Sequence, residues 1–472
     1  MIANFRITLA LGLAGMAVFA ALWLDLQNEG LAWNLLWNVT GETEPPGQIL
    51  GGAQYLMNIT RVAPQTAPTA DIQHIPENPF GINTFLQQEV FPEKRERQLR
   101  MIADAGFGWI RQEFPWEDIE IHGRGDFTDR RNDINGDGQI DEISAWAKYD
   151  NIVDLAEAYD VEIIARLSNP PSWAQPPVTT AHGPPQDVQD FVNYAVAVAE
   201  RYEGRIRYYQ IWNEPNLYPE WGEQAVDPAA YADMLCRTHD ALKAVDPDIV
   251  VLMAAIGPTV DLSGRDAYDV LYLQRLYDHG VADCFDILSA QGYGLFSGPT
   301  DRRLRPTMTN FARHEWLRDI MVANGDEHKP IWISEAGWNP VPPDSEVPGI
   351  ADRTRFGIAT TQQAADWIPV AYERALREWP WVGNISYWFM KRADDSERLQ
   401  SWYYFRLVED DFTPTPMYES FREMTQSGEW GAWRGQPSWE REARAQLPWV
   451  LGCGWALFFG VFVLARGLLG RA

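Results

Sequence analysis

Two glutamates at the ends of short apolar runs are the residues of this chain best placed to do chemistry. Glu214 follows the run Tyr-Gln-Ile-Trp-Asn at positions 209–213, and Glu335 follows Pro-Ile-Trp-Ile-Ser at 330–334. Two carboxyl groups that face one bond can divide the work of glycoside hydrolysis, since one protonates the leaving oxygen and the other attacks the anomeric carbon or activates water. The pattern therefore predicts a pair of catalytic carboxyl groups.

Both runs are typical of β-strands that end close to their glutamate. Residues 207–212 alternate large apolar and polar side chains, as a strand does. Pro215 cannot donate to a ladder of hydrogen bonds, so this strand must stop before it. Gly337 breaks the second run two residues after Glu335. In a barrel of parallel strands, catalytic residues gather at the carboxyl ends of the strands.

The order of the remaining elements predicts such a barrel. From about residue 78, strand and helix signals alternate eight times, which favours an α/β fold of the (β/α)8 TIM-barrel type. A doubly wound sheet is the alternative, but no glycine-rich phosphate loop follows the first strand. The predicted strands are 80–85, 109–111, 161–167, 206–212, 249–255, 285–290, 331–334 and 385–389. The predicted helices are 93–105, 145–159, 188–202, 228–245, 270–279, 308–324, 367–379 and 416–424.

Apolar segments lie near both ends of the chain. Residues 7–24 are almost uninterruptedly apolar, and their length suits either a cleaved signal peptide or a membrane anchor. The apolar run 447–465 precedes Arg466 and Arg471, which favours a transmembrane helix over a buried core helix. Because positively charged flanks stay on the cytoplasmic side, these arginines predict that residues 78–426 lie on the extracytoplasmic side of the cell membrane. The predicted segments are 1–28 (signal peptide or signal anchor), 29–77 (linker), 78–426 (barrel), 427–446 (juxtamembrane linker) and 447–466 (transmembrane helix).

Composition narrows the class of partner. The 472 residues carry a formal net charge of −27, so nucleic acid and anionic lipid are excluded as favoured ligands, and a neutral or cationic polymer fits better. The 22 Trp and 18 Tyr residues indicate either a large aromatic core or sugar-stacking platforms at the strand ends.

Three cysteines are too few for a disulfide scaffold. Cys236 and Cys284 could pair, but isolated cysteines are more often small buried hydrophobic residues, and Cys453 lies in the apolar tail. The sequence predicts neither a thiol site nor a zinc site.

The motifs also carry a family resemblance. Trp212-Asn213-Glu214-Pro215-Asn216 on the fourth strand, with Glu335 on the seventh, resembles glycoside hydrolase clan A. Within the clan the sequence is most similar to family 39, which includes β-xylosidases, α-iduronidases and endoglycosidases acting on exopolysaccharide. The resemblance covers about residues 78–425. It implies a TIM barrel and a retaining double displacement, with Glu214 as acid/base and Glu335 as nucleophile.

The resemblance further implies roles for the surrounding residues. Arg111 and Tyr293 would hold the nucleophile, and Asn213 would bond the sugar 2-hydroxyl group. For Arg111 a structural ion pair is the alternative, and for Tyr293 an ordinary place on the barrel rim. Trp388 resembles the platform under the reacting sugar. Trp173, which could equally serve loop packing, and Trp338 complete the predicted substrate-binding set.

Two features depart from the family pattern. Many relatives carry histidine two residues before the sixth-strand tyrosine, where this chain has Gln291. The β-sandwich that follows the barrel of β-xylosidase-type members has no counterpart in the short stretch 427–446. The first departure leaves open which hydrogen bonds surround the nucleophile. The second favours the exopolysaccharide-active branch and an open cleft that permits internal cleavage.

An acidic insertion after the second strand resembles a calcium loop. Oxygen-bearing side chains alternate along it, Gly138 permits a sharp turn, and Ile140 could pin the loop to the core. The twelfth position holds Ser144 where a bidentate acid is expected, so a plain Asn/Gly turn is the equal alternative. The predicted ligands of a structural calcium ion are Asp133, Asn135, Asp137, Gln139 and Asp141.

Together the sequence predicts a membrane-anchored retaining glycoside hydrolase that cleaves an extracytoplasmic polysaccharide and needs no cofactor for catalysis. A transglycosylase remains open, because the sequence does not show how water reaches the reaction. A catalytically silent carbohydrate-binding or scaffold protein of a polysaccharide assembly is the alternative from another class.

Overall fold

The computed structural model describes residues 16–434, except 18, 134–135 and 178–182. Strands and helices alternate along most of this range. The strands are β1 (Phe80–Thr84), β2 (Trp109–Pro115), β3 (Thr128–Asp129), β4 (Ile143–Ser144), β5 (Glu162–Ser168), β6 (Tyr208–Asn213), β7 (Val250–Ala255), β8 (Leu288–Tyr293), β9 (Ile331–Gly337) and β10 (Val382–Tyr387). The helices are α1 (Leu31–Thr40), α2 (Pro45–Asn58), α3 (Pro92–Asp104), α4 (Ala147–Ala158), α5 (Val188–Arg201), α6 (Pro228–Val245), α7 (Asp269–Asp278), α8 (His314–Ala323), α9 (Thr361–Glu378) and α10 (Pro416–Ser427).

Eight of the strands form one parallel barrel. Their order is β7-β6-β5-β2-β1-β10-β9-β8, and each neighbouring pair is parallel. The outer strands β7 and β8 close the ring through parallel bridges between Leu252 and Ile287 and between Ile256 and Ala290. The predicted TIM barrel is therefore confirmed.

Local sequence signals set where the helices begin. The Asp227 carboxylate accepts hydrogen bonds from the backbone amides of Ala229 and Ala230, and Pro228 occupies the first turn of α6. Thr360 and Gln363 form a reciprocal capping box at the start of α9. These helices bury their apolar faces on the strands, which are themselves buried on both sides. The carboxyl ends of all eight strands are thereby fixed around one opening.

The strands that carry candidate residues extend further than the apolar runs predict. β9 continues through Glu335 to Gly337, and β8 continues to Tyr293. In register, Gln291 lies opposite Glu335, and Tyr293 lies opposite Gly337. At these strand ends, the Tyr293 hydroxyl group donates to the Glu335 carboxylate across the neighbouring strands.

The segment 29–77 is not the linker that its composition predicts. It contains α1 and α2, and both are tied to the barrel. Arg303 donates to the Thr40 carbonyl and to Glu42, and the Gly298 amide donates 2.7 Å to the Gly41 carbonyl. Glycine and proline suggested a loose strap, but Pro45 begins a helix here, where its missing N–H costs nothing.

The two predicted membrane segments fall mostly or wholly outside the described residues. Residues 447–466 lie outside them, and of 7–24 only 16, 17 and 19–24 are described. Over the described part of the chain, no helix combines the length and apolarity that a membrane span needs. Membrane anchoring therefore stays a prediction.

The insertion that resembles a calcium loop includes the small antiparallel pair β3–β4. The Asp133 carboxylate accepts hydrogen bonds from the backbone amides of Gly136, Asp137 and Gly138. Asn135 lies outside the described residues. Calcium binding stays a prediction, since these contacts fit a turn held by an aspartate as well as a metal loop.

Cys236 and Cys284 form a disulfide bond, contrary to the preference for unpaired buried cysteines. Cys236 lies on α6, and Cys284 ends the 3₁₀ turn Val281–Cys284 that packs beside it. Sequence spacing did not reveal this proximity, because it depends on how two outer elements of the barrel meet.

Replacing Cys236 with alanine should lower the free energy of unfolding by about 2–4 kcal/mol, since the crosslink restricts the unfolded chain over a separation of 48 residues. Denaturant unfolding of the oxidised protein measures the loss. The Cys284→Ala variant and the double variant should lose the same amount, because each single change already breaks the bond. A double variant that loses the sum of the two would contradict the crosslink.

Candidate active site

A buried ion pair joins two barrel strands at the carboxyl end of the barrel. Arg111 on β2 donates through Nη1 to Glu335 Oε1 on β9 at 2.7 Å, and both side chains are almost fully buried. The second carboxylate oxygen, Oε2, accepts a hydrogen bond of 2.6 Å from the Tyr293 hydroxyl group on β8. Glu335 thus has a cation on one oxygen and a donor on the other, an arrangement that stabilises a carboxylate.

Three of the four remaining donors of Arg111 also have partners on neighbouring strands. Its Nε donates to Gln210 Oε1 at 2.6 Å, Nη1 to Asn83 Oδ1 at 2.8 Å, and Nη2 to Asn213 Oδ1 at 2.8 Å. Burial lowers the pKa of Arg111, and the neighbouring Glu335 charge opposes that effect. The guanidinium is therefore fixed in one orientation by partners on β1, β6 and β9.

A second set of hydrogen bonds holds two of these partners. Asn83 Nδ2 donates to the backbone carbonyls of Ser334 and Tyr387, and Gln210 Nε2 lies 3.2 Å from Ser334 Oγ. Asn83 and Gln210 are buried polar residues of strand interiors that the motif search did not single out. Their signal in the sequence is a polar side chain within an otherwise apolar strand.

The backbone around Glu214 is bent where β6 ends. Trp212 and Glu214 both adopt positive φ angles, 76° and 40°, which are unfavourable for side chains other than glycine. The Glu214 amide still donates to the Ala255 carbonyl at 2.9 Å. A Cβ atom on Gly257 would lie 3.0 Å from Glu214 Oε1, so glycine leaves room for the carboxyl group. The strained turn aims Glu214 into the barrel mouth.

The surroundings of Glu214 favour its neutral form. Burial, the nearby Glu335 charge and the nearby Glu220 charge, in that order, raise its pKa well above the usual value. Burial and the Glu335 charge also raise the pKa of Tyr293, so this hydroxyl group keeps its proton and can donate. The site therefore combines an acid whose pKa is raised with a second carboxyl group held by a cation and a hydrogen-bond donor, as glycoside cleavage requires.

Glu220 is a third acid at the site, and the motif search missed it. It lies in the 3₁₀ turn Pro219–Trp221 after β6, and its Oε2 is 3.4 Å from Asn213 Nδ2. Nothing in its local sequence marks it, because the turn alone brings it back towards the strand end.

A further polar cluster lies at the ends of β2 and β5. Glu113 pairs with Arg166 and accepts hydrogen bonds from Ser168 Oγ at 3.1 Å and from Asn169 Nδ2 at 2.9 Å. The negative charge of Glu335 also acts to raise the pKa of Arg166. The charged surface of the barrel mouth therefore extends beyond the two catalytic candidates.

The three tryptophans predicted to bind substrate have different surroundings. Trp388 follows β10, is half-buried, and packs edge-on against Phe85 at 5.5 Å. Trp173 donates to the Glu120 carbonyl, as expected of loop packing. Trp338 does not line the site as predicted. Only 2% of its side chain is exposed and its indole N–H donates to a backbone carbonyl, so it belongs to the core.

Gln291, which replaces the histidine of many relatives, lies between the two carboxyl groups. It is 2% exposed, stands opposite Glu335 in the register, and influences the titration of Glu214. Within the described residues, no side chain or backbone group forms a well-aligned hydrogen bond with its amide. The amide nevertheless lies close enough to Glu214 for a hydrogen bond to act on it, and this contact works to lower the pKa of Glu214 against the effect of burial.

Comparisons with known proteins agree with this fold and these motifs. The family model described as cellulase (glycosyl hydrolase family 5) matches residues 68–271, which include Arg111 and Glu214 but not Glu335. No curated protein matches the chain. The predicted resemblance to glycoside hydrolase clan A is confirmed.

Solved structures share the fold at low identity. A family 39 glycoside hydrolase from the gut symbiont Bacteroides cellulosilyticus is 18% identical with a TM-score of 0.54, over 75% of this chain and 64% of that enzyme. A family 39 enzyme from Xanthomonas axonopodis is 16% identical with a TM-score of 0.51, over 78% and 70%. A family 5 variant from Streptomyces cattleya, in complex with Manβ1-4GlcNAc, is 16% identical with a TM-score of 0.53, over 76% and 82%.

Replacing Tyr293 with phenylalanine should lower kcat roughly 10- to 100-fold, because a hydrogen bond to a charged group is worth about 1.5–3 kcal/mol and Glu335 loses one of the donors that fix it. Steady-state kinetics on any substrate that is turned over measures the effect. Tyr387→Phe on β10 is the matched control, since the described residues offer its buried hydroxyl group no partner. Equal kinetics for both variants would contradict the role of Tyr293.

Replacing Glu220 with glutamine should move the alkaline limb of the kcat/KM profile to lower pH. Removing the neighbouring negative charge lowers the pKa of Glu214, so the acid loses its proton at a lower pH. Glu223→Gln, an exposed change in the same loop, is the control and should leave the profile in place. An unmoved limb in Glu220→Gln would show that this charge does not act on the acid.

Proposed function

We propose that this protein is a retaining glycoside hydrolase in which Glu335 is the nucleophile and Glu214 the acid/base. One observation carries the assignment. The two carboxyl groups share one barrel mouth, yet Glu335 accepts from Arg111 and Tyr293 while Glu214 has burial and like charges that favour its neutral form. Carboxyl groups pushed apart in this way take opposite roles.

In the first step, the Glu335 carboxylate attacks the anomeric carbon and forms an ester with it. The bond from that carbon to the leaving oxygen breaks, and Glu214 transfers its proton to this oxygen. Arg111 and Tyr293 hold Glu335 in position throughout. Asn213, anchored by Arg111, is placed to bond the sugar 2-hydroxyl group.

In the second step, Glu214 removes a proton from water while the water oxygen bonds to the anomeric carbon and Glu335 leaves as a carboxylate. The exchange of roles has an electrostatic cause. Once Glu335 is esterified it carries no charge, so one of the causes that raise the pKa of Glu214 disappears. Glu214 can then remain ionised long enough to act as the base.

The proposed substrate is a neutral or cationic polysaccharide on the extracytoplasmic side of the membrane. The Cys236–Cys284 bond supports this compartment, because disulfides persist chiefly in oxidising surroundings. The net charge of −27 disfavours a polyanionic substrate. The apolar segments 7–24 and 447–466 would keep the barrel at the membrane.

A silent carbohydrate-binding protein is the second candidate, and a transglycosylase is a variant of the first. The contacts of the two glutamates argue against a catalytically silent binding protein. A protein that only binds carbohydrate does not need one carboxyl group held by Arg111 and a second one whose surroundings favour its neutral form. Hydrolysis and transfer share the first step and differ only in which acceptor enters the second.

The test uses the full chain in detergent with a panel of bacterial and plant polysaccharides, and product size is followed by chromatography. Glu214→Gln should lower turnover about 10²- to 10⁴-fold, the usual contribution of general acid–base catalysis. Glu335→Gln should abolish turnover and keep polysaccharide binding. Glu200→Gln on the exposed side of α5 is the control.

The size of the products decides between the open alternatives. Oligosaccharides indicate internal cleavage, monosaccharide indicates action at chain ends, and longer chains indicate transglycosylation. Binding without any product, in the wild type as in Glu335→Gln, would favour the silent carbohydrate-binding protein.

A further inference from the structure

Helix α2 presents an entirely apolar stripe to solvent. The exposed positions of this helix recur at intervals of three and four residues, which places them on one face. Leu50 is 62% exposed and Leu56 is 63% exposed. Large exposed apolar surfaces mark interaction sites on soluble domains. The stripe consists of Pro46, Ile49, Leu50, Ala53, Leu56 and Met57.

The stripe belongs to a larger surface without charges. Residues 30–41 and 45–60 contain no Asp, Glu, Lys or Arg, in a chain of which 22% is charged. Leu31 on α1 is 88% exposed, and Leu35 lies one turn further on the same face. Together, α1 and α2 form a helical hairpin whose outer side is apolar on α2 and uncharged on α1, where Asn34 and Asn38 are exposed beside the two leucines.

The hairpin is a fixed part of the fold. The Asp25 carboxylate accepts hydrogen bonds from the Ala32 and Trp33 amides at the start of α1. Between the helices, Trp33 donates to the Thr43 carbonyl. Arg303 binds the end of α1 and the Gln54 side chain of α2. The apolar side is therefore held outward by polar contacts on the inner side.

We propose that the hairpin α1–α2 rests on a lipid bilayer, with the α2 stripe in the interface. This inference rests on the membrane anchoring included in the proposed function. The end of the apolar segment 7–24 overlaps with residues 19–27, which are helical and lie directly before α1. If that segment enters a bilayer, the few residues between it and α1 are too short to hold the hairpin away from the bilayer surface.

The lipid expected is uncharged overall. Interfacial helices that bind anionic lipid carry Lys and Arg on their polar side, whereas the hairpin carries none. Seating by apolar contact alone fits a zwitterionic surface and agrees with the negative charge of the whole chain.

The position of the hairpin links the bilayer to the candidate active site. Gly41, at the end of α1, accepts a hydrogen bond from Gly298, and the Trp37 carbonyl accepts one from Thr300. Both partners lie in the loop that follows Tyr293. Seating the hairpin therefore fixes the height above the membrane of this loop and of the Tyr293 strand end from which it leaves, and favours glycan that lies close to the bilayer.

The experiment places a fluorescent probe on the stripe of the full chain. Ala53→Cys, in a Cys453→Ser background, is labelled with an environment-sensitive fluorophore and reconstituted into phosphatidylcholine vesicles with or without brominated acyl chains. Seating roughly 5–10 Å into the interface predicts a blue-shifted emission that loses about half its intensity in brominated lipid. Glu200→Cys on α5 is the control and should not be quenched.

Three outcomes overturn the inference, and each is distinguishable from failure of the proposed glycoside cleavage. An unquenched Ala53 probe on protein that floats with vesicles leaves anchoring intact and excludes lipid as the occupant of the stripe. A blue-shifted but unquenched probe shows that protein covers it. Protein that does not float contradicts the anchoring itself, while polysaccharide cleavage, measured separately in detergent, tests the chemistry.

As a second measurement, Leu50→Glu and Leu56→Glu are introduced together in the Ala53→Cys chain. Both side chains are exposed, so the fold does not depend on them. The charges should abolish quenching at Ala53 and leave cleavage of a soluble substrate unchanged. Quenching that persists in this variant would overturn the proposal.

Discussion

The buried pair between Arg111 and Glu335 is the interaction on which the rest of the barrel mouth depends. Removing two charges from water costs several kcal/mol per ion, and one contact between them does not recover that cost. Here three other donors of Arg111 meet Asn83, Gln210 and Asn213, and Tyr293 meets the free oxygen of Glu335. These partners come from three barrel strands, and with Arg111 and Glu335 the network joins five, so the pair is satisfied only when the barrel is closed.

The same pair governs the second carboxyl group. The hydrogen bonds from Arg111 and Tyr293 hold the Glu335 carboxylate in place. Burial, the Glu335 charge and the Glu220 charge all raise the pKa of Glu214. The strained turn at Trp212 and Glu214 then has a physical purpose, since it brings a carboxyl group to a position where its charged form is unfavourable. Fold and chemistry are coupled here: the contacts that hold one carboxyl group fix a charge that adds to the effect of burial on the pKa of the other.

The sequence predicted what depends on local signals. Pro215 and Gly337 marked the ends of two strands, and the alternation of elements predicted the barrel that brings those ends together. It did not predict contacts made across the fold. Glu220 returns to the site through a turn, Cys236 meets Cys284 because two outer elements pack, and Trp338 follows a strand yet points into the core. Glycine and proline in 29–77 suggested a linker, although their neighbours form helices that Arg303 secures.

The distribution of charge at the barrel mouth also bears on the proposed substrate. Arg111 is matched by Glu335, and Arg166 by Glu113, so neither arginine next to the site offers an uncompensated positive charge. Glu220 adds a negative charge close to Asn213, where the sugar 2-position is proposed to lie. An amino sugar with its ammonium group at the 2-position would meet the Glu220 carboxylate there, and a neutral sugar would meet hydrogen-bonding groups. The local charges therefore agree with the substrate class proposed from the net charge of the chain.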